Sequence, residues 1–220
     1  MAVKRAAALG LRNLVVPRGA ADKLFLTTSA IGRLIDPVPP GPAAILPGDA
    51  ILVTGPLGSH GIAVLAAREN LGLIPPPQSD VASLLPVVEA LRTARVPVRA
   101  MRDATRGGVA AVLHEWAESS GHTLYVDENR LPATPQVRGA CELLGLDPVY
   151  IANEAVMVAA LPASCVDAAI AALRVETVSA QAVAIGEVRP RTSVPVVIRR
   201  VSGRETPLDE PLAAHLPRIC

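Results

Sequence analysis

Aromatic side chains are almost absent: 220 residues hold one Phe, one Trp and two Tyr. The 50% hydrophobic content is therefore aliphatic, and so is the expected core. With so few rings to stack on bases, and with 21 basic residues against 20 acidic, nothing forms a nucleic-acid groove or a patch for an anionic membrane. Cysteine is scarce too: Cys141, Cys165 and Cys220 are widely spaced, with no CxxC pair and no HxxxH. That excludes a disulfide framework and a zinc module, predicts no metal site, and fits a reducing, cytoplasmic setting. No long apolar run exists either. The longest stretch without a formal charge, Ala50 to Ala67, contains Gly55, Pro56, Gly58 and Gly61 and is a poor membrane helix. The start, Met1 to Ala6, is basic but lacks the apolar core of a secretory signal; it reads as a frayed surface helix, with a transit peptide the alternative.

Proline and glycine are plentiful, 21 and 16, and punctuate the chain. Leu24 to Thr28 is a short β-prone run. Four prolines between Asp36 and Pro42 interrupt any helix or central strand and mark a linker. Strands are expected over Ala50–Thr54, Thr123–Val126, Ala155–Leu161, Val183–Val188 and Pro195–Ile198, and helices over Gly58–Leu71, Val81–Arg95, Val109–Ser119, Thr134–Leu144 and Val166–Leu173. Interleaved strands and helices argue for an α+β fold, an α/β layered sandwich.

Four features point to chemistry. Asp103-Ala104-Thr105-Arg106-Gly107-Gly108 opens a helix, where two glycines admit a ligand to the backbone, first-turn N–H groups favour an anion, and Arg106 adds positive charge. The same letters fit an Asx turn with a solvated arginine. Asn153-Glu154 precedes an apolar strand, where a half-desolvated carboxylate suits a general base, or stands as an ordinary turn. Thr54 to Gly61 is glycine-rich after a strand, with His60 as a hydrogen-bonding partner or an incidental residue of a tight connection. The sequence ends Pro217-Arg218-Ile219-Cys220; from Pro207 such a tail reaches ~45 Å when extended, and its thiol is either nucleophilic in a partner's site or ordinary.

In order along the chain, these segments resemble the HypE family of hydrogenase maturation factors, within the superfamily of aminoimidazole ribonucleotide synthetase, selenophosphate synthetase and thiamine-monophosphate kinase. The resemblance rests on Val15 to Asp22, Ile51 to Gly55 with Gly58 to Ala63, Met101 to Gly108, Cys141 to Pro148, Ala152 to Glu154, and Pro217 to Cys220. The glycine-rich loop and the DxTRGG motif belong to the superfamily; the terminal Pro-Arg-Ile-Cys is particular to HypE.

The resemblance implies that Cys220 receives a carbamoyl group from a HypF-like carbamoyltransferase. An ATP-dependent step, with magnesium, then dehydrates it to thiocyanate. The cyanide passes through a HypC–HypD-type iron scaffold to a nickel-iron hydrogenase. Glu154 is the implied base, and Asp103, Thr105, Arg106, Gly107, Gly108, Asn153 and His60 the implied substrate and nucleotide contacts. It further implies residues 1–35 as a remnant of an N-terminal ATP-binding domain, 36–46 as linker, 47–206 as the C-terminal domain and 207–220 as a mobile tail. The sequence departs from the family at Arg12 and Leu14, where an acid and a lysine are usual, at Ser59 for Asp, and at Ala104 for Pro. These departures, with nearly all of the family's upstream ATP-binding domain missing from this sequence, speak against autonomous ATP hydrolysis, and the missing domain, which carries most of the family's dimer interface, speaks against the homodimer. The alternative is a carrier module that presents Cys220 without turning over.

Overall fold

A computed structural model describes residues 29, 31 and 34–211. The expected strand Leu24–Thr28, the N-terminal helix and Cys220 itself lie outside the described residues. The chain divides into two units between Val38 and Pro39. In the first, residues 29, 31 and 34–38 form no helix or strand, and Ile31, Leu34 and Ile35 are exposed. All that follows concerns the second unit.

Its centre is a seven-stranded sheet: β1 (Asp49–Val53), β2 (Ala100–Asp103), β3 (Thr123–Asp127), β4 (Met157–Pro162), β5 (Val183–Arg189), β6 (Val196–Arg199) and β7 (Glu205–Pro207). In space the order is β2-β4-β1-β5-β3-β6-β7, and only the β3–β6 pair is parallel. The helices are α1 (Ser59–Arg68), α2 (Leu85–Thr93), α3 (Gly108–Ser120), α4 (Pro135–Leu144) and α5 (Val166–Arg174).

Side-chain alternation assigns the layers. On β1 and β4, Ile51, Val53, Val158 and Ala160 face a core completed by Val109, Val112, Leu113 and Trp116 of α3. Their neighbours Ala50, Leu52, Met157, Ala159 and Leu161 face a second core completed by Val87 and Leu91 of α2 and Ala169 and Leu173 of α5. Both faces of these strands are covered, so they read as continuous apolar runs. The core is largely aliphatic, as the composition requires, with Trp116 and Tyr125 its buried aromatics and Tyr150 packed against it. A third cluster joins α1 and α4 through Ile62, Val137, Ala140, Cys141 and Ile151.

Several boundaries differ from the sequence expectation. β2 and β7 were not apparent. Both are short sheet edges, and Arg102, Asp103 and Glu205 along them are exposed, so neither shows an apolar pattern. The helix expected over Val81–Arg95 starts at Leu85, because Pro86 is compatible only with a first turn. The proline-rich stretch stops regular structure without stopping packing. Gly41 N donates to the Arg99 carbonyl at 2.9 Å, Pro42–Ala44 forms a 3-10 turn, and Ile45 is wholly buried. At the other end, Leu208 is buried, and its N–H donates to Val196 O at 2.9 Å, so this part of the expected tail is held.

Candidate functional site

Strand order brings the sequence motifs together. β4 runs antiparallel between β1 and β2, with Val53 opposite Val158 and Asp103 opposite Met157. The start of β4 therefore meets the ends of β1 and β2, the points from which the chain enters α1 and α3. Backbone bonds close the junction: Thr54 N donates to Met157 O at 3.1 Å, Ala104 N to Val156 O at 2.9 Å and Asn153 N to Ala104 O at 3.1 Å. Glu154 thus lies directly beside the Asp103–Gly108 loop, and two helix N-termini open at the same end of the sheet. Neither helix start carries a side-chain cap: Gly58 and Gly107, the N-cap residues, both have left-handed backbone. The partial positive charge of helix N-termini favours an anion here.

Asn153 is the pin of this junction. It is wholly buried; its amide nitrogen donates to Ala104 O at 2.8 Å and Ile151 O at 3.0 Å, and its oxygen accepts from Gly58 N at 2.7 Å. With those bonds made, its side chain serves the three loops rather than a ligand. Gly108 has a similar duty. At φ +60, a Cβ there would stand 2.6 Å from Val149 O and 2.7 Å from Ile151 O, and its N–H already donates to Thr105 O at 3.0 Å. The close approach this glycine permits is to the protein's own backbone. Gly61 makes a similar approach, since a Cβ there would meet Ile151 Cγ2 at 2.5 Å. Ala104 is also wholly buried, and its N–H bond to Val156 is one that proline, usual in the family, would forfeit.

The remaining candidates face outward. Asp103 and Arg106 are exposed at the mouth, and Thr105 and Gly107 are half-buried. His60, in the first turn of α1, places Nε2 3.8 Å from Glu154 Oε1, with the two side chains 15% and 34% exposed. His60 Nδ1 lies 2.9 Å from Ser79 Oγ, a hydrogen bond whose donor depends on the ring tautomer. The adjacent Asp80 accepts from Glu154 N, at 3.2 and 3.3 Å to its two oxygens, and from Ala155 N at 3.1 Å. Sequence reasoning placed Asp80 one residue ahead of a helix and missed this role. Pro86 was the available signal, because it moves the helix start to Leu85 and leaves residues 79–84 free to dock.

The root of the C-terminal segment is fastened to the same region. His114 Nε2 bonds Leu208 O at 3.0 Å, Tyr150 OH donates to Asp209 O at 3.0 Å, and a Cβ on Gly107 would lie 3.2 Å from Pro211 Cγ.

The other two thiols differ in exposure. Cys141 is buried, and desolvation, then the nearby Asp147 carboxylate, pushes its pKa up to about 11; Cys165 is half-exposed. Because the thiolate is the nucleophile, alkylation of native protein at pH 8 should leave Cys141 unmodified and label Cys165, with denaturant releasing Cys141. Peptide mapping after labelling checks this, and native labelling of Cys141 would show its helix opening on the labelling timescale.

Residues 47–199 match the C-terminal domain of AIR synthase related proteins. The chain is 44% identical over 207 residues to the carbamoyl dehydratase HypE of Escherichia coli K12, covering 94% of this chain and 60% of that protein. The crystal structure of E. coli HypE superposes with a TM-score of 0.88 at 42% identity, over 99% of this chain and 68% of that one. HypE in complex with ATP gives 0.82 at 35%, covering 99% and 68%. HypE in a HypE–HypF complex gives 0.73 at 35%, covering 77% and 55%. The chain spans about 60% of the length of the curated relatives it matches. By its domain, its motifs and these likenesses, the chain belongs to the AIR synthase related proteins and, within them, to the HypE hydrogenase maturation proteins.

Proposed function

We propose that this protein takes part in nickel-iron hydrogenase maturation, with Cys220 accepting a carbamoyl group that is dehydrated, at the expense of ATP, to a thiocyanate. The observation that carries this reading is convergence: Glu154, the Asp103–Gly108 loop and the root of the Cys220 segment occupy one end of the sheet. Cys220 lies nine positions beyond Pro211, a reach of roughly 30 Å at about 3.3 Å per residue, ample for the thiol to enter a site beside Gly107.

The chemistry suits the residues. The carbamoyl oxygen attacks the γ-phosphorus of ATP, ADP leaves, and an N–H proton passes to Glu154. The second N–H proton then leaves, the C–O bond breaks with its electrons going to phosphate, and S–C≡N remains. Glu154 is a suitable base, and the uncapped start of α3, with Thr105 and Arg106, a suitable anion side. No group of three His, Cys, Asp or Glu among the described residues could hold a metal ion. Magnesium, where ATP brings it, would be held by the nucleotide phosphates, with Asp103 the carboxylate at the mouth. A HypF-like carbamoyltransferase is the expected donor and a HypC–HypD-type complex the expected acceptor. No helix among the described residues is long and apolar enough to cross a membrane.

Intact mass tests this. A carbamoyltransferase with carbamoyl phosphate should add about 43 Da, and ATP should then remove about 18 Da as water. Cys220→Ala should abolish both changes. No adduct with a competent donor would sink the proposal. Addition without loss would favour the carrier reading, which Leu14, in place of the family's lysine, supports.

A further inference from the structure

The proposed reaction takes two protons from one nitrogen, and a single carboxylate holds only one at a time. Glu154 must therefore be discharged between the two steps. We infer that Ser79 and Asp80 form a clamp over Glu154 and His60, in which Asp80 positions the base and the His60–Ser79 pair carries its proton out to solvent. This inference rests on the function proposed above.

Two adjacent residues, brought from outside every helix and strand, hold the pair from both ends. Asp80 binds the backbone N–H groups of Glu154 and Ala155 through one carboxylate. That fixes the chain on either side of the Glu154 Cα, and so the direction in which its side chain leaves. Ser79 binds the His60 nitrogen that points away from Glu154, while its Oγ also accepts from Val81 N at 3.2 Å. The ring is thus held with one nitrogen toward the base and the other toward an exposed hydroxyl. The 3.8 Å between Nε2 and Oε1 exceeds a hydrogen bond, but catalytic contacts are often long without substrate and tighten around it. Imidazole can accept a proton at Nε2 and release one from Nδ1, so the sequence Glu154 to His60 to Ser79 to water returns every group to its starting charge; the ring is left as the Nε2–H tautomer and regains its Nδ1–H form by exchange with water before the second transfer. None of these three side chains is enclosed, so the proton has a path out.

The competing route returns the first proton to the departing phosphate oxygen, making His60 unnecessary. The two diverge on His60→Ala. With the exit intact in wild-type protein, carbamoylated chain plus ATP should lose about 18 Da; in His60→Ala the rate should fall roughly 100-fold. A phosphorylated adduct about 123 Da above the free chain should accumulate in the variant, and added imidazole should restore at least a tenfold rate. Carbamoylation itself should be unaffected. Wild-type turnover in His60→Ala, or failure of imidazole to rescue, would overturn the relay.

The clamp has a substrate-free readout in amide hydrogen exchange. Asp80→Ala should speed exchange at Glu154 and Ala155 about tenfold or more, and Asp80→Asn, which keeps an acceptor, should largely restore protection. Unchanged exchange in Asp80→Ala would overturn the clamp. If wild-type chain never dehydrates its adduct, the proposed function and the relay fall together, while exchange still decides the clamp.

Discussion

Gly108→Ala should cost about 2–5 kcal/mol of stability, combining left-handed strain of ~1–2 kcal/mol with overpacking of ~1–3 kcal/mol. The residue sits at φ +60, and a methyl group there would press on Val149 O, Ile151 O and the carbonyl carbon of Tyr150 at 2.6–2.8 Å. All three are backbone atoms, so no side-chain rotation relieves the clash. Gly121→Ala is the control: its φ is +70, but nothing lies within 4 Å of the added methyl, so only the strain remains. Denaturant melts should show Gly108→Ala well below Gly121→Ala, and the melting temperature of the former should fall by about 10 °C. Equal losses would mean that the 149–151 segment yields easily. Dehydration should suffer with stability, since that segment leads directly into Asn153 and Glu154.

Asn153 carries the second large effect. Asn153→Ala leaves Gly58 N–H and Ile151 O buried without their side-chain partner, while Ala104 O keeps its bond from the Asn153 backbone. Two such orphaned groups cost about 3–4 kcal/mol. Asn153→Asp is more informative. It keeps an acceptor for Gly58 N but sets a carboxylate against two carbonyl oxygens in a wholly buried site. Burial and those oxygens favour the protonated acid, raising its folded pKa above the unfolded value near 3.9. The folded state then binds the extra proton, so the variant should be most stable below about pH 4 and lose stability as pH rises. Denaturation measured from pH 4 to 7 against wild type checks this. A flat difference across that range would mean that water reaches the pocket.

The contrast between these two positions and the outward-facing candidates bears on how much was legible. The apolar runs of β1 and β4 and the amphipathic segments were readable because two-sided and one-sided burial leave different periodicities. Edge strands β2 and β7 were not, because an edge exposes its residues and erases the alternation. The motif around Gly107 and Gly108 was visible as a unit, but letters alone do not tell a glycine that admits ligand from one that admits neighbouring backbone. Gly108 proves to be the second kind.

Asp80 was missed for a related reason: its partners are the N–H groups of residues 154 and 155, more than seventy positions away. No local pattern marks such a contact, although Pro86 marked the segment as lying outside the helix. Composition determined the aliphatic core, and the ordered motifs determined the family and named Cys220 and Glu154. Tertiary structure decided which motif residues face outward and which hold the loops. The physical reason is sheet order: β4, inserted antiparallel between β1 and β2, brings Gly58, Ala104 and Asn153 to one point, and strand neighbours are chosen by packing across the whole sheet.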